Sequence, residues 1–291
     1  MSSSKALVPF SHAAIIGTGL IGGSFGLALQ KHFPTITVIG FDRPEVVRKA
    51  QERGAVQEIA DDLAKTVSDA DLIYVALPIA RILEFLPVIA AHAKPQALVT
   101  DAGSTKASIC REGARLFRGE ARFLGGHPIA GKETSGIQHA NENQFRDSRY
   151  SLIAAADDAD LRVKGFSAIL RAFGAAPVWC DAETHDWAVG VVSHLPQLLA
   201  VALASVVSAE TDETGLPLAL AGSGARDMLR LAGSPFGLWR DIAQTNTANI
   251  SHSLDRLAQA VDHLRTNLTS KELEREFGTA NEVYKSIQKR G

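Results

Sequence analysis

The sequence predicts an α/β half followed by an all-α half, and three observations carry that reading. Short β-branched runs alternate with amphipathic helical patterns up to about residue 181. A glycine-rich turn joins the first run to the first helix, and from Glu183 onward helical patterns continue without a convincing strand. The expected strands are 13–16, 35–41, 72–77, 97–101, 121–125, 151–155 and 176–180. Between several of them lie amphipathic segments such as 44–53, 79–92 and 161–173, which suit a mostly parallel sheet covered by helices. Antiparallel pairing among the later strands stays open. The second half reads as helices over 185–208, 216–231, 235–267 and 270–289. Pro196 lacks an N–H and would meet the carbonyl of Val192, so a kink is expected there. The division falls near residue 182, giving units of 1–181 and 182–291.

The chain has 291 residues, of which 46% are hydrophobic and 21% charged, as in an ordinary globular protein with a substantial core. A net charge of −2 gives no electrostatic case for nucleic acid or an anionic membrane as partner, so small-molecule chemistry is the expectation. Cys110 and Cys180 supply neither a disulfide framework nor a metal site, which suits a reducing cytoplasm. The first ten residues lack the apolar core of a signal peptide. The most apolar later segment, 190–207, is interrupted by Ser193, His194, Pro196 and Gln197 and is expected not to span a membrane. Its portion 198–207 is apolar nearly all round, which predicts burial in a bundle or in a homodimer.

The first strand runs directly into Gly17-Thr18-Gly19-Leu20-Ile21-Gly22. Gly17 permits the tight turn, Gly19 lets backbone approach a pyrophosphate, and Gly22 allows close packing of helix on sheet. The helix start adds unpaired N–H groups and a favourable dipole for phosphate. The second strand ends at Asp42, twenty positions after Gly22, where a carboxylate accepts the adenosine ribose hydroxyls and repels a 2′-phosphate. This is a Rossmann-type dinucleotide-binding pattern, with NAD favoured over NADP. Arg43 weighs toward NADP, and Asp42 has a second reading as a helix cap before Pro44. Leu77 and Pro78, closing the expected strand 72–77, are expected at the nicotinamide.

Two further segments are aimed at the same place. Thr100-Asp101-Ala102-Gly103-Ser104-Thr105-Lys106 closes the expected strand 97–101, and Phe123-Leu124-Gly125-Gly126-His127-Pro128-Ile129-Ala130-Gly131 puts one histidine just after a strand. Ligands of open α/β sheets bind beyond the carboxyl ends of strands, so His127 is a candidate proton acceptor. In the helical half, His185-Asp186, Ser193-His194-Leu195-Pro196, Gly222-Ser223-Gly224-Ala225-Arg226 and Arg230…Trp239-Arg240-Asp241 form a polar set on otherwise apolar helices. Arginines there suit bidentate capture of a carboxylate.

Five of these motifs are Gly17-Thr18-Gly19-Leu20-Ile21-Gly22 with the following Gly23-Ser24, residues 101–106, 126–131 and 193–196, and Arg230…Trp239-Arg240-Asp241. In that order they resemble the prephenate and arogenate dehydrogenases of tyrosine biosynthesis, over about residues 13–250. The resemblance implies an NAD-dependent oxidative decarboxylation, with prephenate giving 4-hydroxyphenylpyruvate and arogenate giving tyrosine. A hydride leaves ring C4, carbon dioxide leaves C1 and the ring becomes aromatic. It implies His127 as the base toward the C4 hydroxyl, Ser104 as its positioning hydroxyl, and Arg230 as the group holding a substrate carboxylate. His194 and Trp239 would line the pocket, and the helical half would dimerise. Where many members carry a second histidine after Ser-His-Leu-Pro, this chain has Gln197, a position that bears on the choice between keto-acid and amino-acid side chains.

Structural readings stand beside these. Ser104 also suits a helix N-cap, His194 a core position, Arg230 an intersubunit salt bridge, and Lys106, His185 and Trp239 plain packing. Two other functions fit the same architecture: a β-hydroxyacid dehydrogenase or imine reductase, and a non-catalytic NAD-binding sensor. The first typically uses a lysine on the interdomain helix; the second has no need of His127, Ser104 and Arg230 together.

Overall fold

The computed structural model describes residues 8–130 and 134–289. Gly131, the last residue of the histidine motif, lies outside them. The chain opens with β1 (His12–Ile16), α1 (Leu20–His32), β2 (Thr37–Phe41), α2 (Pro44–Glu52), β3 (Glu58–Ile59) and α3 (Leu63–Ser68). It continues through β4 (Leu72–Val75), α4 (Ile79–His92), β5 (Leu98–Asp101), α5 (Ala107–Leu116) and β6 (Arg122–Ile129). The last strands are β7 (Arg149–Ile153) and β8 (Ala176–Cys180), separated by α6 (Leu161–Ala172). β3, only two exposed residues long, has too little apolar pattern to be visible in the sequence.

The eight strands form one sheet in the order β3-β2-β1-β4-β5-β6-β7-β8. Strand order reverses between β1 and β4, which places the glycine turn after β1 at the topological switch point. All neighbouring pairs are parallel except β6 with β7. Side chains alternate across the sheet: Leu72 and Tyr74 enter one core with Phe25, Phe145 and Phe166, while Ile73 and Val75 enter the other with Ile82, Leu86 and Ile109. Ile242 and Ile250 of the second half are buried in that second core, so the helical half docks on the α4–α5 side.

One expectation about β6 is corrected. His127 does not follow the strand; it is part of it. β6 pairs with β5 only over 122–124, then runs past the end of β5 with β7 alone, His127 lying opposite Ser151. Pro128 is tolerated because no strand remains on the β5 side to receive its missing N–H.

After Cys180 the described residues form helices: α7 (Ala182–Val189), α8 (Leu195–Glu210), α9 (Leu216–Ala219), α10 (Ser223–Leu229), α11 (Phe236–Thr245), α12 (Thr247–Thr266) and α13 (Lys271–Gln288). A π turn, Gly190–His194, bridges α7 and α8. The widened turn accommodates Pro196 without ending the helix, which is continuous over Ala182–Glu210. The irregularity expected at Pro196 is this π turn, ending one residue before Leu195, within the helix. That helix is long and apolar enough to cross a membrane by length and composition, with a mean hydropathy of 1.7 in its most apolar stretch. The pattern read as one helix over 235–267 is broken at Asn246, whose non-helical backbone separates α11 from α12. Within one protomer this half leaves large apolar side chains exposed, among them Val192 at 72%, Leu220 at 74% and Phe236 at 76%. That is more apolar surface than a monomer ordinarily leaves in water.

Candidate active site

The glycine turn is built as its spacing suggests. Gly17 has φ +91°, and a Cβ there would lie 2.4 Å from the Ala76 carbonyl oxygen at the end of β4. A Cβ on Gly22 would lie 1.9 Å from the Gly17 oxygen, so no side chain fits where α1 starts. Gly19, by contrast, faces open space, and no side chain caps α1. The first-turn N–H groups are thus left for an anion. Leu20, Ile21 and the buried Thr18 complete the turn.

Asp42 is held in place by the turn itself. Thr18 donates to Asp42 Oδ2 from its N–H at 2.7 Å and its hydroxyl at 3.3 Å, and the Arg43 N–H donates to Oδ1 at 2.7 Å. Arg43, not Asp42, is the N-cap residue of α2, so the capping alternative for Asp42 gives way. The Arg43 side chain is exposed and lies 3.6 Å from Glu45. Leu77 packs against the turn beside Gly17, and Pro78 is the N-cap residue of α4. A cradle with one fixed carboxylate at the end of β2 fits a dinucleotide without a 2′-phosphate.

Beside it, a buried ion pair fixes the two segments that carry Ser104 and His127. Lys106 and Asp101 are both fully buried and directly paired. Lys106 Nζ also donates to the Gly126 carbonyl at 2.7 Å, while the N–H groups of Gly103 and Gly126 donate to Asp101 at 2.8 and 3.1 Å. This cluster joins β5 to β6 where their ladder has ended. Lys106 is a framework residue, which settles its two sequence readings in favour of packing.

His127 is half-buried and faces the helical half. Its Nδ1 lies 2.9 Å from His185 Nε2, and His185 Nδ1 lies 2.8 Å from Asp186 Oδ1. The Asp186 carboxylate also accepts the N–H groups of Lys106 and Ala107 at 2.6 and 2.9 Å, capping α5. Ser104, read as a possible cap, is displaced from that role and stands half-buried in the loop before α5. Burial, with His185, Lys106 and His194 nearby, holds the His127 imidazole well below its ordinary pKa.

His194, on the π turn, is 1% exposed, and burial brings its pKa down to about 4. Asn246, freed from helix by the break between α11 and α12, donates to the Asp186 carbonyl at 2.7 Å and to His194 Nδ1 at 3.1 Å. Neutral His194 therefore carries its proton on Nε2. Its ring meets Trp239 edge to face, centroids 5.8 Å apart, and the indole N–H is buried without a partner among the described residues. Gln197 is buried and donates to the Leu231 carbonyl at 2.8 Å, tying the turn Arg230–Gly233 to α8. Arg230 is exposed at the start of that turn.

Thr245 and Asn246 carry no signal in the sequence as site-forming residues, and Asp241 stands in a motif that does not show its role. Asp241 accepts the Ala80 N–H at 3.1 Å at the start of α4, and Thr245 pairs with Thr105 at 2.8 Å. Asp241 followed Trp239-Arg240 in a flagged motif, but nothing local showed that it caps a distant helix.

The site combines a glycine cradle, an imidazole nitrogen on a strand edge with no partner among the described residues, and a helical wall carrying further imidazoles. Sequence profiles decide where such a site belongs: the prephenate dehydrogenase nucleotide-binding domain matches residues 25–178, and the dimerization domain of the same enzymes matches residues 181–280. The chain belongs to the prephenate dehydrogenase family. It is 34% identical to the prephenate dehydrogenase of Lactococcus lactis subsp. cremoris over 260 residues, 89% of this chain and 71% of that protein. Its fold superimposes on the Aquifex aeolicus prephenate dehydrogenase in complex with hydroxyphenyl propionate and NAD+ with a TM-score of 0.86, at 26% identity, covering 99% of this chain and 100% of that one. The Synechocystis arogenate dehydrogenase gives a TM-score of 0.81 at 32% identity, over 95% and 99% of the two chains. Family membership sets aside the β-hydroxyacid dehydrogenase and imine reductase readings. The apolar Ala182–Glu210 helix lies within the match to the family's dimerization domain.

Proposed function

We propose that this family member catalyses the NAD+-dependent oxidative decarboxylation of a cyclohexadienyl substrate, prephenate or arogenate, in tyrosine biosynthesis in the cytoplasm. The observation that carries the proposal is the His127 imidazole, half-buried where β6 outruns β5, at the same carboxyl-end edge of the sheet as the glycine cradle after β1. Gly17, Thr18, Gly19, Leu20, Ile21 and Gly22 would hold the pyrophosphate, Asp42 the adenosine ribose, and Leu77 and Pro78 would flank the nicotinamide. When bound, NAD+ supplies the hydride acceptor.

His127 Nε2 accepts the proton of the substrate C4 hydroxyl as carbonyl character develops at that carbon. A depressed pKa keeps the imidazole neutral, and so able to accept, at physiological pH. Ser104 orients the hydroxyl, and His194 offers an N–H donor from the opposite wall. Trp239 backs His194 and shields the ring from water. Arg230 takes the substrate's side-chain carboxylate, on a turn whose position Gln197 fixes. Residues 1–181 thus form the dinucleotide domain and 182–291 the substrate and dimerisation domain. A homodimer at micromolar concentration is the expected result of sedimentation; a monomer contradicts this arrangement.

Turnover tests the proposal. With NAD+ and either prephenate or arogenate, NADH absorbance rises together with the aromatic product; no turnover with both substrates overturns it. Arg230→Ala raises KM at least about tenfold, the loss of one charge-assisted contact to a carboxylate, and an unchanged KM removes that role. Asp42→Ser narrows the preference for NAD+ over NADP+ by about tenfold or more, measured as the ratio of kcat/KM values, because the repelling carboxylate is gone.

A further inference from the structure

We propose that His185 and Asp186 are positioning residues that set the tautomer of His127, leaving its Nε2 unprotonated toward the substrate. The inference rests on the reading of His127 as the base and adds how that base is kept in the productive form.

The direction of the chain is fixed at its carboxylate end. Asp186 Oδ1 only accepts, so at 2.8 Å His185 Nδ1 must carry the proton. In the proposed chain His185 Nε2 is the acceptor of the 2.9 Å contact and His127 Nδ1 its donor. His127 is left with a lone pair on Nε2. The opposite tautomer would present an N–H to the substrate hydroxyl and could not take its proton.

The anchor is unusually firm, because both Asp186 oxygens are already engaged by N–H groups at the start of α5. Those donors keep the carboxylate from rotating away, and the same helix start follows Lys106, whose ammonium holds the Gly126 carbonyl beside His127. His185 and the Asp186 side chain are nearly fully buried, so water does not compete for the chain. In the step itself the proton moves from the C4 hydroxyl to His127 Nε2. The resulting imidazolium keeps its Nδ1–H on His185, and no proton need reach Asp186. The arrangement follows the logic by which a carboxylate selects the tautomer of a serine-hydrolase histidine, with one imidazole inserted between.

The test is the ¹⁵N spectrum of histidine-labelled full-length protein, assigned by the His127→Asn variant, alongside kinetics. Wild type should show His127 with a protonated Nδ1 and an unprotonated Nε2 at neutral pH. His185→Leu should lose that single tautomer and lower kcat by about a hundredfold with KM for NAD+ unchanged. His185→Gln, whose amide oxygen still accepts, should keep the tautomer and recover at least tenfold of the loss. An unprotonated Nδ1 on His127 in wild type overturns the proposal, as does a His185→Leu enzyme within threefold of wild-type kcat. The spectrum needs no substrate, so it decides the tautomer even if neither prephenate nor arogenate is turned over.

Discussion

Replacing His127 with asparagine lowers kcat by about 10²–10⁴-fold and leaves the affinity for NAD+ nearly unchanged, the range expected for loss of a general base. Asparagine can occupy the strand position opposite Ser151 without disturbing the β6–β7 ladder, since its backbone pairing is the same. What it lacks is a nitrogen that can take a proton near neutral pH. Steady-state kinetics with both substrates, beside fluorescence titration of NAD+, separates the two effects. The pH dependence follows from the same group. The base must be unprotonated, and burial lowers the His127 pKa well below that of an ordinary imidazole. The acid limb of kcat/KM therefore falls below pH 6.5 in the free enzyme, with activity lost as pH drops through it. A limb above pH 6.5 would assign the titration to another group.

Lys106→Met destabilises the fold by about 3–5 kcal/mol, read from denaturant unfolding. Methionine matches the length of the lysine stem but leaves the Asp101 carboxylate fully buried without its counter-charge. The Gly126 carbonyl loses its donor at the same time. Asp101 still accepts from Gly103 and Gly126, so the cost is that of an unpaired buried charge and not of an emptied site. The double variant Asp101→Asn with Lys106→Met should recover part of the loss, because it removes that charge. A single variant within 1 kcal/mol of wild type would show that the pair contributes little.

The glycine cradle, Asp42 and most of the strands were legible because each depends on neighbours in sequence. Gly17 and Gly22 meet atoms of their own βα unit and of the adjacent strand end, and a fixed spacing reports that. The extent of β6 was hidden: Gly125-Gly126-His127-Pro128 has the composition of a turn, yet β7, some 25 residues on, pairs with it. The histidine chain was hidden for a similar reason. His127 and His185 are 58 residues apart, and only the docking of α7 on the start of α5 brings them together. The local pattern His185-Asp186 gave a signal, a buried-type imidazole beside a carboxylate, but could not name its partner. Helix periodicity likewise ran straight through Asn246, where the backbone breaks so that an amide can reach His194 and Asp186.

The most direct measurement of the central claim uses substrate deuterated at ring C4, incubated with the enzyme and NAD+. The expected result is deuterium in NADH, carbon dioxide in equal amount, and an aromatic product without deuterium at that carbon. NADH free of deuterium, or reduced cofactor formed without carbon dioxide, would contradict it.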